Sequence, residues 1–400
     1  MRDESNAHAA SRDLRLDLFR GLANWAIFLD HIPHEILSAL TIRNYGFSDA
    51  ADVFVFISGY TIARVFGRVL RERGFVEGAA RLLKRTISLY AVHVLLAGAY
   101  VVLINIIAHQ LQDLEDLDRF NVALMAKDPA KLAVQTLLLR YKPVNLDILP
   151  LYILLLIAAI PALWLMVRKP TLGLSGSLVL YLAARAFGWN LSGYPSGTWY
   201  FNPFAWQLLF FLGSWIALGG ARLLQPFIQS GTMFWIAVAY VFFSLAVTLA
   251  GQHPSYGVVL PDWIAGTFGH NDKTNLSPFR VVHLIAIVLI ATRFISQHSP
   301  ILRWRLFSPM IVCGQHSLEV FCLGIVLSYC AHAAIEVESN SIGVQIIVGI
   351  AGLLILSTTA LVFGRAPSRG GEGRGSDSSV PWRGHQRELV QNSSGRSGNP

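Results

Sequence analysis

The sequence predicts an all-α, polytopic integral membrane protein: a bundle of about ten transmembrane helices with both termini cytoplasmic. Three observations lead there. Of 400 residues, 54% are hydrophobic and only 14% are charged, against roughly a quarter charged in soluble domains. Apolar runs long enough to cross ~30 Å of hydrocarbon, about 20 residues each, recur from residue 17 almost to the C-terminus. The basic residues are divided unequally between alternate loops, as the positive-inside rule requires.

The predicted spans are 17–38, 51–69, 86–108, 148–167, 172–188, 201–218, 232–250, 279–297, 307–330 and 343–364. With the N-terminus inside, 21 of the 32 basic residues fall on the inner side, among them the cluster from Arg68 to Arg85, Arg168, Lys169 and six tail arginines. The outer loops hold 7: Arg43, Arg119, Lys127, Lys131, Arg140, Lys142 and Lys273. The net charge of +8 is thus accounted for by topology and anionic membrane lipid, and no nucleic-acid partner is needed. Residues 1–16 are polar and no A-x-A site follows the first apolar stretch, so the first helix, not a cleaved signal, is expected to direct insertion.

Cys313, Cys322 and Cys330 all lie in the ninth span, which implies core packing and no disulfide framework. Two long outer loops, 109–147 and 251–278, could cover a site; in the first, Asp128 is an N-cap and Pro129 suits the first helical position. Residues 1–365 form the membrane domain. The Gly/Ser/Arg-rich stretch 366–400 cannot build a core and reads as a disordered cytoplasmic tail.

The first span carries polar residues that a membrane rarely keeps without a partner or a task. At 100° per residue, Asp17, Arg20, Asn24 and His31 fall at about 0°, 300°, 340° and 320°, on one stripe, with ~16 Å between Arg20 and His31. One reading is structural: Arg20 snorkels and pairs with Asp17, while His31 makes an interhelical hydrogen bond. The other is a passage with a cation at its inner mouth and a titratable imidazole deeper in. Guanidinium binds phosphate bidentately, and His suits proton transfer near neutral pH. Asp30 touches His31 only if Pro33 loosens the helix end. Glu35, four residues on, shares the face of His31 and is an alternative orienting carboxylate.

With this stripe in view, Arg20-x10-His31 within LDLFRGLANWAIFLDH resembles the first-helix signature of the acyltransferase type 3 superfamily. FVFISGY (54–60) is similar to its Phe-rich Ser-Gly motif, and CGQHSLEVFCLG (313–324) to its late Gly-x-x-Ser segment, with CLG where a His is usual. The stretches RDLRLDLFRG, HIP, TIRNYGFSDAADVFVFISGY, YKPVNLDILPLYI, YPSGTWYFNPFAWQLLF and DKTNLSPFR resemble the OpgC branch, membrane succinyltransferases of periplasmic glucans. The resemblance implies an acyltransferase membrane domain in the bacterial cytoplasmic (inner) membrane. It would move an acyl group, succinyl by analogy, from cytoplasmic acyl-CoA to hydroxyls of periplasmic glucan. His31 would be the catalytic imidazole and Arg20 part of the donor site. Acyl-CoA, as succinyl-CoA, is then a co-substrate, and no bound cofactor or metal is implied.

Other residues carry two readings each. Lys84 and Arg85, beside Arg81, serve topology or hold CoA phosphates. Ser58 and Gly59 allow close helix packing, or Ser58 donates to the thioester. Trp199 and Tyr200, in the aromatic stretch 189–206, belong to an interfacial belt or face a sugar ring. Asp147, like Asp49 and Asp52, caps a helix or binds acceptor hydroxyls. His316 and Glu319, three apart in the ninth span, are candidate polar partners of the stripe. A metal site is not expected, since His31 and His34 straddle Pro33 with no ligand set nearby. The rival function is a proton- or ion-coupled secondary transporter, which inverted repeats and paired broken helices would favour; the sequence has neither. It assigns no oligomeric state.

Overall fold

The computed structural model describes residues 13–252, 260–297, 299–338 and 340–365. Among them the regular structure is helical, apart from one isolated bridge between Ser192 and Thr198. The expected tail, 366–400, lies outside the described residues, as does part of the loop 251–278. The long helices are α1 (Leu14–Asp30), α2 (Ala50–Leu111), α6 (Ile148–Arg168), α7 (Pro170–Phe187), α8 (Pro203–Trp215), α10 (Gly231–Gln252), α12 (Pro278–Phe294), α14 (Ser317–Val337) and α15 (Ile342–Arg365). Shorter ones are α3 (Glu115–Arg119), α4 (Leu124–Lys127), α5 (Pro129–Leu137), α9 (Ala221–Gln229), α11 (Asp262–Phe268) and α13 (Ser308–Gln315).

Local chemistry sets the boundaries. The Asp13 carboxylate caps α1 by accepting from the Arg15 amide. Asp49 and Asp52 form a reciprocal capping box at the start of α2, satisfying amides that a helix start leaves without partners. Gly74, at φ 85° and ψ −178°, bends α2 into two arms, a conformation that favours glycine. Asp128 caps α5 with Pro129 in its first turn, as the sequence predicts.

Two predicted spans differ from the observed helices. The first helix stops at Asp30, not at 38, because Pro33 disfavours helix in the residue before it; Glu35 instead caps a 3₁₀ turn, Ile36–Leu40. The ninth is interrupted at His316, whose φ −111° and ψ 42° separate α13 from α14. The three cysteines are free thiols on those two helices.

The chain reverses at two ends. The Gly74 end gathers the start of α1, the bend of α2, the α6–α7 junction and residues 295–307. There Arg15 Nη1 donates to the Ile295 carbonyl at 3.2 Å, and the Phe75 and Trp164 rings meet edge-on at 6.0 Å. The His31 end gathers 31–49, 112–147, 188–202 and 260–277. There Asn271 Nδ2 donates to the Phe47 carbonyl at 2.7 Å, and the Asn202 amide donates to the Thr274 carbonyl at 3.1 Å.

Small residues let helices cross almost backbone to backbone. A Cβ on Gly59 of α2 would stand 1.9 Å from the Phe210 carbonyl oxygen, and one on Gly213 of α8 would stand 2.2 Å from that of Phe56. This crossing gives Gly59 a packing role. Among the described residues, six helices are long and apolar enough to cross a membrane: α2, α6, the α8–α9 unit Pro203–Gln229, α10, α14 and α15. Their outward faces carry exposed apolar residues such as Leu95, Trp235 and Ile347, as lipid-facing surfaces do.

Candidate functional site

The polar stripe of α1 joins two polar regions, one toward each end. At the Gly74 end a cavity of about 400 Å³ opens between the arms of α2 and the start of α14, lined by Val65, Phe66, Val69, Arg81, Lys84, Arg85, Ser88, Leu89, Val92 and Leu318. The stripe lies alongside it. Arg20 Nη2 donates to Thr61 Oγ1 at 2.7 Å, one turn before Val65. Asn24 Nδ2 donates to Ser317 Oγ at 3.2 Å and to its carbonyl at 3.3 Å, next to Leu318. Lys84 and Arg85 are exposed, and Arg81 pairs with Glu77 at 2.6 Å. Thr61 and Ser317 are thus polar partners of the stripe. His316 forms the break between α13 and α14, and its ring centroid lies 6.3 Å from that of Phe363.

His31 caps the C-terminus of α1 with near-helical φ −92° and ψ −5°, so it extends the stripe by one position. Its Nδ1 is buried without a hydrogen-bond partner. The charges that act on it are Lys273, Arg43 and Asp49. Asp30 is committed elsewhere: it accepts from Thr41 Oγ1 at 2.7 Å and pairs with Arg43 at 3.4 Å. Glu35 accepts from the Leu37 amide and lies against α15, close enough that a Cβ on Gly349 would stand 3.1 Å from its Oε1. Neither carboxylate is hydrogen-bonded to the imidazole, because the helix ends before the spacing that aligned Glu35 with His31 can apply.

The surroundings of His31 come from residues distant in sequence. Lys273 Nζ lies 2.7 Å from Asp49 Oδ2. Arg280, 4% exposed, lies 3.0 Å from the same oxygen and also pairs with the fully buried Asp52. Beside them Ser48 Oγ and His283 Nδ1 are 2.6 Å apart. In the sequence Lys273 reads as a loop cation, and Asp49 and Asp52 read as helix caps or acceptor-hydroxyl ligands; the stretch DKTNLSPFR, which holds Lys273 and Arg280, is the one signal of this cluster. The turn 138–147 closes the other side, with Asn145 Nδ2 donating to the His31 carbonyl at 3.4 Å. Asp147 is the residue before α6 and makes no side-chain cap bond. Burial pushes its carboxyl up to about 6 against the pull of Lys142.

Trp199 is buried and lies under Lys142, whose Nζ is 3.8 Å from its ring centroid. Tyr200 is 48% exposed, with Lys273 Nζ 5.6 Å from its ring centroid. These two aromatics therefore face opposite situations, one built into the wall and one open at the surface. Farther round this end Asp116, His332 and Glu336 converge closely enough to hold a metal ion. Arg119 already supplies the cation there, donating to Asp116 Oδ1 and Glu336 Oε1, each at 2.8 Å.

An all-helical fold with membrane-length apolar helices, a basic cavity and a polar stripe leading to an imidazole whose Nδ1 is buried defines a multi-pass membrane protein. The family model described as OpgC protein matches residues 12–368, nearly the whole chain, and the chain belongs to that family. The assignment carries the glucan-related membrane acyltransferase class that the motifs implied. No match was found among curated proteins or among solved structures.

Proposed function

We propose that the protein transfers an acyl group, succinyl by resemblance, from cytoplasmic acyl-CoA to hydroxyls of periplasmic glucan, with His31 as the catalytic imidazole. In this reading it lies in the bacterial inner membrane with both termini cytoplasmic. All ten spans cross, with α1, α7 and α12 joining the six most apolar helices and the arms of α2 crossing separately. The Gly74 end then faces the cytoplasm.

The observation that supports this best is the adjacency of the basic cavity to the Arg20–Asn24–His31 stripe. A cavity with an apolar floor and Arg81, Lys84 and Arg85 at its rim suits an acyl thioester with a phosphorylated carrier. The cations meet phosphate, and the pantetheine arm is long enough to bring its thioester the ~16 Å from Arg20 to His31. At the far end the imidazole takes the proton of a sugar hydroxyl as that oxygen attacks the thioester carbonyl. The C–S bond breaks, the new ester forms, and the thiolate recovers the proton from the imidazolium. Tyr200, open at the surface, offers a flat face to the acceptor's sugar ring.

The test is incubation of the purified protein with radiolabelled succinyl-CoA and unsubstituted glucan. Label is expected in the glycan as an alkali-labile ester. Unlabelled glycan in the presence of folded protein would refute the reading.

A further inference from the structure

The turn that reaches the His31 carbonyl through Asn145 also carries a buried cation without a hydrogen-bond partner. Lys142 sits in the turn 138–147, held by the bond from Asn121 Nδ2 to its carbonyl at 3.1 Å. Its ammonium lies over Trp199, and Nζ is buried with no hydrogen-bond partner. Trp199 is itself fixed: its amide donates to the Leu191 carbonyl at 2.9 Å, and its carbonyl accepts from Asn190 Nδ2 at 2.9 Å. Nearby polar atoms are also buried without partners, namely Trp199 Nε1 and both ring nitrogens of His93. The charge of Lys142 acts on His93 and on Asp147, yet neither is hydrogen-bonded to it.

Buried ammonium groups are costly unless paired, and buried polar atoms in native proteins are nearly always bonded. Lys142 and Trp199 Nε1, grouped with no partner of their own, suit an acceptor-only ligand: an anion. The cation–ring contact orients the ammonium without neutralising it. Asn145, three residues along the same turn, is the residue that reaches the His31 carbonyl, so the cation and the imidazole are positioned by one segment.

We propose that Lys142, held over Trp199, receives the free carboxylate of a dicarboxylic acyl group while the thioester of that group lies at His31, making Lys142 the residue that selects a charged acyl chain over an uncharged one. This rests on the acyl-transfer reading above. A charge-assisted bond to a carboxylate is among the stronger polar contacts.

The experiment compares succinyl-CoA with butyryl-CoA, equal in chain length, and with the monomethyl ester of succinyl-CoA, all on one neutral, unsubstituted glucan so that no acceptor charge contributes. In the wild type succinyl-CoA should exceed both in kcat/KM. In Lys142→Met the succinyl-to-butyryl ratio should fall by roughly ten- to a hundred-fold, the usual range for losing a hydrogen bond to a charged group, and Lys142→Arg should restore it in part. The ratio does not depend on how much of a preparation is folded. Should Lys142→Met yield no active protein, Lys142→Gln reads the same ratio. An unchanged ratio in the neutral variants, or wild-type enzyme that uses the methyl ester as well as succinyl-CoA, would overturn the proposal. Wild-type protein that transfers no acyl group from any of the three would instead refute acyl transfer itself.

Discussion

Gly21 of α1 and Gly314 of α13 face each other across a crossing in which the two backbones nearly touch. A Cβ on Gly21 would stand 1.7 Å from the Met310 carbonyl oxygen, and one on Gly314 would stand 1.8 Å from that of Asp17. Neither neighbour is a flexible side chain, so relief requires the helices to part. This contact sets the depth at which Asp17 meets α13 and Asn24 meets α14.

Gly21→Ala and Gly314→Ala should therefore each destabilise the protein by about 1–3 kcal/mol or more, the usual cost of overpacking. Gly98→Ala is the matched comparison: it lies mid-helix, is exposed and has nothing near its would-be Cβ, so it should be neutral or slightly stabilising. Thermal unfolding in detergent measures all three, and equal behaviour of Gly21→Ala and Gly98→Ala would contradict the close crossing.

The Asp52–Arg280 pair is buried on both sides, so removing one partner leaves a charge in a poor medium. Arg280→Met should cost about 3–5 kcal/mol, and Asp52→Asn combined with it should recover part of that loss. A double-mutant cycle on the unfolding transition reads the coupling; strictly additive losses would mean the pair is not a unit.

Much of the first helix was legible in the sequence because a 3.6-residue period leaves a regular mark: Asp17, Arg20 and Asn24 share a face as read. Pro33 carried the signal that ends the helix, yet Glu35 was still placed on it. The break at His316 had no such signal, since neither His nor Ser is a strong helix breaker. The cluster of Asp49, Asp52, Lys273 and Arg280 joins residues more than 220 apart in the chain, and pairing at that range leaves no periodic trace. Lys142 was visible only as one loop cation among seven; its meeting with Trp199 needs the tertiary fold.

Asp116 gives the stability a pH dependence. Burial alone would raise its carboxyl, but the hydrogen bond from His332, with the neighbouring Arg119 and Tyr329, outweighs burial and holds it below the ordinary value. A depressed carboxyl contributes stability that is present above its unfolded value, about 3.9, and is lost as pH falls through the folded value. Unfolding scans below about pH 4 should thus show a steeper loss for the wild type than for Asp116→Asn. Parallel curves for the two would show that Asp116 is not the group responsible.

The ten-span topology makes its own prediction. A reporter active only outside the cytoplasm should be active when fused at residue 120 or 265 and silent when fused at residue 76, beside the Gly74 bend. Activity at 76 would invert the bundle and detach the basic cavity from cytoplasmic acyl-CoA.

The most direct test of acyl transfer at this stripe is His31→Ala, assayed with labelled succinyl-CoA and glucan beside an unfolding scan of the same preparation. His31 sits at a helix end with its Nδ1 unbonded, so the substitution should leave the unfolding transition near that of the wild type. Transfer of label to the glycan should be lost, with no label retained on the wild-type protein before acceptor is added, as expected of a base and not of an acyl carrier. Glucan labelled by His31→Ala at the wild-type rate would remove His31 from the chemistry.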